Sequence, residues 1–306
     1  MRIEKRKIEK ITYEEIGFPL SLLEISGMPK ELYYYGDLSI CRKPCAAIVG
    51  SRKSTTYGKW AASELAGCAA DAGITVVSGM AWGIDSAAHR GSLEREGKTV
   101  AVLGGGVDVC YPARNRQLYE EIAEHGLLLS EQPPGQRPLP GMFPARNRII
   151  SGLCSLVAVV EAGLNSGSLI TADFALKQNK EVCAVPGNIN CISSFGTNKL
   201  IQDGAVPIIV PADLPRLMGL KDVYTIGRMA EKKERAKDCL GADEKTVLAV
   251  LSDGKEKTMD ELCQRTGISA GHMSAVVTVL EMKGFVCTDL GPFVKSKCTK
   301  KQKYFL

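Results

Sequence analysis

The chain has no apolar run long enough to cross a bilayer as a helix, and its opening residues, MRIEKRKIEK, are charged rather than signal-like. These absences predict a soluble, cytoplasmic protein that keeps off the membrane. There is no CxxC pair: the eleven cysteines are odd in number and scattered, and Cys41 and Cys45 are separated by three residues. Most of the others fall inside apolar runs, which predicts buried thiols in a reducing compartment rather than zinc ligands or disulfides. A GxxxxGK[ST] phosphate loop is missing, which excludes P-loop ATP hydrolysis. So is a clean GxGxxG, and no acidic residue closes the second strand to hold a ribose. Nor does the sequence offer a nucleophile, base and acid in a set, or a cluster of metal ligands. No catalytic residue, no metal and no cofactor is expected.

What is present is a repeating pattern. Seven apolar runs recur at Ala46–Val49, Ile74–Val77, Val100–Leu103, Leu127–Leu129, Leu156–Val160, Val182–Val185 and Val206–Val210. Most end in glycine or serine, and helix-like stretches lie between them. Alternating βαβ units predict an α/β fold, a Rossmann-like doubly wound and mainly parallel sheet whose ligand crevice lies at the strand carboxyl ends. The net charge of +5 is compatible with a polyanionic partner without requiring one.

Five segments place phosphate-binding chemistry at that crevice. Gly50, Ser51 and Arg52 follow the first run and precede a helix beginning near Thr55. Backbone N–H groups at that helix start favour an anion, and arginine adds a planar, permanently charged donor. Ser78, Gly79 and Gly83 follow the second run and allow close backbone approach, while Asp85 caps the next helix. His89, one turn on, reads as structural because no partner acid or nucleophile accompanies it. Gly104, Gly105 and Gly106 form a third turn, with Arg114 and Arg116 beyond it. The fourth segment is a Pro- and Gly-rich loop ending in Phe143, Pro144, Ala145, Arg146, Asn147 and Arg148. Pro144 suits a first helical turn, and an aromatic ring beside arginines is what single-stranded nucleic acid requires: charge for phosphates and a ring face for a base. Ser166, Gly167 and Ser168 open a further helix that could hold an anion. The blander account of each segment is an ordinary tight turn, a core phenylalanine or a solvated arginine.

Along the chain, residues 1–40 read as a short N-terminal adaptor, with a helix from Phe18 to Ile25 and a strand from Leu32 to Gly36. Residues 41–218 form the α/β body and 219–241 a charged linker. Residues 242–306 form a small winged-helix domain, with three helices and a hairpin around residues 289–292.

Together these segments resemble the bacterial DNA-processing protein A family (DprA, also called Smf). The resemblance rests on Ile48–Arg52, Ser78–His89, Val102–Asp108, the run FPARNRIISGL from Phe143 to Leu153, Ser166–Ala172 and Val185–Asn188. It covers nearly the whole α/β body. It implies a non-enzymatic, sequence-independent binder of single-stranded DNA that forms a homodimer, protects incoming DNA in natural transformation and helps load the RecA recombinase. Carried over by position, Arg52 and the arginines of the Phe143–Arg148 run line the DNA pocket, and Gly104–Gly106 and Ser166–Ser168 complete its wall. The N-terminal helical domain of many members is reduced here to the first forty residues. In the winged helix, the expected recognition helix from Gly271 to Lys283 turns His272, Ser274 and Thr278 outward, a poor set for reading base edges. Lys295, Lys297, Lys300, Lys301 and Lys303 form a basic tail. Two other readings compete: a nucleotide phosphoribohydrolase, for which Glu161 and Asp173 are the available acids, and a winged-helix regulator with an anion-sensing body. The apolar edge from Leu169 to Leu176, with the last strands, is the expected dimer surface.

Overall fold

The computed structural model describes residues 7–220, 240–253, 257–282, 285–288 and 293–296. The chain divides into two compact units, Met1–Tyr224 and Thr225–Leu306. The first is built on a nine-stranded sheet of order β1-β2-β6-β5-β4-β3-β7-β8-β9. Its strands are β1 Glu9–Thr12, β2 Glu31–Gly36, β3 Cys45–Val49, β4 Thr75–Ser78, β5 Thr99–Val102, β6 Leu127–Ser130, β7 Leu156–Val159, β8 Glu181–Ala184 and β9 Val206–Pro207. From β3 to β9 all neighbours run parallel; β1 pairs antiparallel with β2, and β2 with β6.

The near-continuous apolar composition of the parallel strands follows from burial on both faces. Successive side chains alternate: Ala47, Val49, Val157 and Val159 join one core cluster, whereas Ala46, Ile48, Leu156 and Ala158 join another. Helices α1 (Thr56–Asp71), α2 (Ile84–Leu93) and α3 (Arg116–His125) cover one face, and α4 (Met142–Leu153) and α5 (Gly167–Lys177) the other. Two shorter helices, α6 (Phe195–Gln202) and α7 (Asp213–Leu217), complete the unit. The order steps from β3 to β4, β5 and β6 in one direction and to β7, β8 and β9 in the other. That reversal opens a crevice between the carboxyl ends of β3 and β7, the topological switch point of a doubly wound sheet.

Three expectations change. Residues 9–36 are not a separate adaptor but supply β1 and β2 to the same sheet. The helix expected from Phe18 to Ile25 is only a 3₁₀ turn at Leu20–Leu22. The apolar spacing that suggested a helix serves instead to drop Leu22 and Ile25 onto α4, where both side chains meet Gly152. The last strand stops at Pro207, whose missing N–H suits the sheet edge, and leaves Ile209 and Val210 exposed.

The second unit contains helices Ala242–Val250, Met259–Thr266 and Ala270–Met282 and a three-stranded antiparallel sheet of Lys257–Thr258, Phe293–Ser296 and Val286–Thr288. Thr258 and Glu261 form a capping box at the second helix, and Gly267 ends it in the left-handed conformation at φ 74°. Val247, Leu251, Leu262, Met273, Leu280 and Val294 make the core. This is a winged helix. His272, Ser274 and Thr278 are exposed, as the sequence predicts. Most of the charged linker (221–239), the wing turn (289–292), Lys283 and the tail from Lys297 onward lie outside the described residues.

Candidate nucleic-acid interface

At the switch point lies a cavity of about 590 Å³. Its walls come from the turn after β3 (Gly50, Ser51, Arg52, Lys53), from α4 (Phe143, Arg146, Asn147, Ile150) and from the start of α5 (Ser166, Gly167, Ser168). Phe143, Asn147 and Ile150 share one stripe of α4 because they stand four and three residues apart. Ala81, Asp85 and Tyr111 complete the lining.

The two helix starts that face this region differ. At α1 the anion expected from the sequence is already supplied by the protein. Glu161, 4% exposed, accepts from the Thr55 backbone N–H at 2.8 Å through Oε2 and from the Thr55 hydroxyl at 2.5 Å through Oε1. A Cβ on Gly58 would collide with the Glu161 carboxyl group, which explains glycine there. The α5 start carries no acidic residue in its first turn; Ser166 caps it, and its Oγ lies 2.8 Å from the Ser168 Oγ. Its N–H groups therefore present partial positive charge to the cavity.

The arginines also separate. Arg52 is exposed, its guanidinium carbon 5.3 Å from the centroid of the Phe143 ring, and no carboxylate or hydrogen-bond partner holds it among the described residues. Arg146 is only 7% exposed and donates to the carbonyls of Val102 and, at 2.9 Å, Gly79. It clamps the ends of β4 and β5 and forms the cavity floor. Burial lowers its pKa to about 10, opposed by Asp85 and assisted by Arg52. Asp85 accepts from the N–H groups of Gly79 and Ala81 at 3.1 and 3.3 Å. Burial raises its pKa, against the pull of Arg146. Arg148 points away from the cavity: it pairs with Glu131 at 2.6 Å and donates to the Gly27 carbonyl at 2.7 Å.

Other expected ligands hold structure as well. The Ser78 hydroxyl is buried and donates to the Ile48 carbonyl at 2.7 Å. Gly79 accepts from Arg146, and Gly83, at φ 96°, backs onto the carbonyls of Ser51 and Arg52. Gly104 lies against the Phe143 ring, while Gly105 and Gly106 pack on residues 133–138 of the proline-rich loop, so this turn stands behind the wall and cradles protein backbone. Arg114 does not reach the cavity and lies 3.9 Å over the Trp82 ring. His89 is fully buried with Nδ1 2.7 Å from the Thr99 hydroxyl, and burial drops its pKa to about 3, so the ring is neutral. Of the expected residues, Gly50, Ser51, Arg52, Phe143, Arg146, Asn147, Ser166, Gly167 and Ser168 meet at the cavity. Lys53, the residue after the Gly50–Arg52 turn, and Tyr111, three residues before Arg114, were missed; Tyr111 packs 5.5 Å from Phe143, centroid to centroid.

The family model for DNA recombination-mediator protein A matches residues 9–218, and that for the DprA winged helix domain matches residues 231–291. The chain belongs to the DNA recombination-mediator protein A family. Among relatives, the putative DNA processing protein DprA of Mycobacterium tuberculosis is 39% identical over 80% of this chain, and the chain spans 62% of that protein. DNA processing protein DprA of Streptococcus pneumoniae is 44% identical over 66% of this chain and 71% of that protein. Protein Smf of Escherichia coli is 41% identical over 91% of this chain and 75% of that protein. The solved structure of the Streptococcus pneumoniae protein aligns at a TM-score of 0.65 with 40% identity, covering 68% of this chain and 74% of that chain. One of DNA processing protein A from Helicobacter pylori, described as giving insight into its single-stranded DNA binding mode, aligns at 0.63 with 33% identity, covering 69% and 95%. The family assignment thus rests on the fold that builds the cavity as well as on sequence.

Proposed function

We propose that this protein is a sequence-independent binder of single-stranded DNA, with the switch-point cavity as its phosphate-binding centre. The observation that carries the reading is the pairing of Arg52, a cation without a carboxylate partner among the described residues, with the acid-free, serine-capped amino terminus of α5 across one cavity that also presents the Phe143 ring. A phosphate sits between guanidinium and helix N–H groups, and an adjacent base meets the ring. Asn147 and Lys53 add a donor and a charge at the rim. No bond is made or broken in this reading. Glu161, the acid a hydrolase would need, is buried under α1 and does not line the cavity. The reading extends to a role in recombination and natural transformation: the protein covers incoming single strands and hands them to RecA, acting as a homodimer in the cytoplasm. The surface we assign to the homodimer is the apolar edge of α5 and the last strands, where Leu176 and Ile209 are exposed. The charged stretch 219–241 joins the α/β body to the winged helix.

The test is fluorescence anisotropy of labelled single-stranded and duplex oligonucleotides across a salt series, with wild type and Arg52→Ala. The expected result is tighter binding of the single strand, a log–log salt slope of about −0.7 per phosphate contact, and a weaker, flatter response in the variant. Equal affinity for both forms, with no loss in the variant, would remove the cavity from DNA binding.

A further inference from the structure

The chain's two tryptophans, Trp60 and Trp82, stand beside the cavity rather than in it. On α1 the inward positions Gly58, Ala61, Ala62 and Leu65 are buried, and Tyr57, Lys59 and Trp60 face outward. Tyr57 is 51% and Trp60 55% exposed, with ring centroids 6.0 Å apart. Lys59 reaches from the same helix to within 6.0 Å of the Trp82 ring centroid, which also carries Arg114 at 3.9 Å. This face begins at the lip of the cavity: Ala81, the neighbour of Trp82, lines the cavity, as does Tyr111, three residues before Arg114. Two exposed rings thus stand next to a half-buried indole carrying two cations that have no carboxylate partner among the described residues. They match a ligand that alternates flat apolar faces with negative charges.

We propose that a single strand leaving the cavity continues over Trp82 and along the outer face of α1, its bases stacked on Trp60 and Tyr57 and its phosphates held by Lys59 and Arg114. This rests on the single-strand reading above and extends it from one phosphate site to a track. It also supplies a reason for rejecting duplex, whose paired bases keep their faces stacked on one another.

Because both indoles lie on this face, tryptophan emission reports it directly. Full-length protein is titrated with a long oligothymidylate and with a duplex of equal length, while anisotropy of a labelled oligothymidylate measures binding independently. The W82F variant isolates the Trp60 signal. The expected result is saturable quenching by the single strand in wild type and W82F, and none by duplex. W60A weakens single-strand binding about tenfold, the loss expected for one stacked base, and W60F, which keeps a ring face, restores most of it. If anisotropy shows tight binding while W82F emission is unchanged and W60A binds like wild type, the extension is overturned and the cavity reading survives. A wild type that does not bind the single strand at low salt sinks both. A W60A that binds normally but sediments as a smaller species assigns the face to a second copy of the chain and also overturns the proposal.

Discussion

Glu161, just beyond β7, closes the amino terminus of α1 by accepting from both the backbone N–H and the hydroxyl of Thr55. Thr55 in turn accepts from the Gly58 N–H at 3.0 Å, so the carboxylate and the capping hydroxyl act in series at the helix start. Glu161→Ala leaves the partly buried Thr55 donors without their acceptor and lowers stability by about 1 kcal/mol, read as a shift in the urea midpoint. Single-strand affinity stays at the wild-type level where the variant is folded. The same geometry speaks to hydrolysis: wild type incubated with nucleoside monophosphates releases no ribose 5-phosphate. Release that disappears in Glu161→Ala would contradict the capping role.

The three arginines nearest the cavity give three different phenotypes. Arg52→Ala weakens single-strand binding about tenfold, as loss of one charge-assisted contact should, and leaves the urea midpoint unchanged. Arg148→Ala leaves binding unchanged and costs about 1 kcal/mol of stability, through the partly exposed Glu131 pair and the Gly27 carbonyl. Arg146→Ala strips the buried charge opposite Asp85 and orphans the carbonyls of Val102 and Gly79, so stability falls by about 3–5 kcal/mol. Paired anisotropy and denaturation series on the three variants check the pattern. Equal binding losses at Arg52 and Arg148 would sink it.

These differences show where sequence reasoning succeeds. The buried parallel strands were legible because each is a short apolar run closed by a turn residue; the run from Ala46 to Val49 differs from β3 by one residue. That a crevice lies at the strand carboxyl ends was legible, but its position between β3 and β7 was not, because the strand order that creates the reversal emerges only from the fold. The division of labour among the arginines was not legible, though part of it could have been. Arg146 and Arg148 stand about 200° apart around a helix, so both cannot face one cavity. Long-range partners such as Glu161 with Thr55, or Arg114 with Trp82, leave no local signal. They join residues 106 apart in the first case, and only the fold brings them together.

Cys191 differs from the other described cysteines. The Ser193 hydroxyl at 3.1 Å, helped by the Ser193 backbone N–H, lowers its thiol pKa below the ordinary value. Burial raises the thiols of Cys45 and Cys183 to about 12 and pushes those of Cys41 and Cys154 up as well. Brief treatment of the native protein with iodoacetamide at mildly alkaline pH therefore alkylates Cys191 ahead of those four, as read by peptide mass mapping. Faster labelling of Cys45 or Cys154 would mean that the core beneath β3 opens.

The burial of His89 predicts a loss of stability in acid. Its ring is fully buried, and desolvation first, then the charges of Arg146 and Arg90, take its pKa from 6.5 to about 3. The unfolded chain binds a proton on this residue near pH 6.5, whereas the folded chain resists until far lower. The contribution is therefore complete above 6.5 and is lost as pH falls toward 3. Asp85 works in the opposite sense, because burial raises its pKa: its contribution is present at low pH and is lost as pH rises through its folded value. The two are separable by variant. His89→Gln removes the imidazole's titration, lowers stability at neutral pH through the lost packing, and flattens the fall of the urea midpoint between neutral and mildly acidic pH. An unchanged acid slope in His89→Gln would move the acid sensitivity to another group.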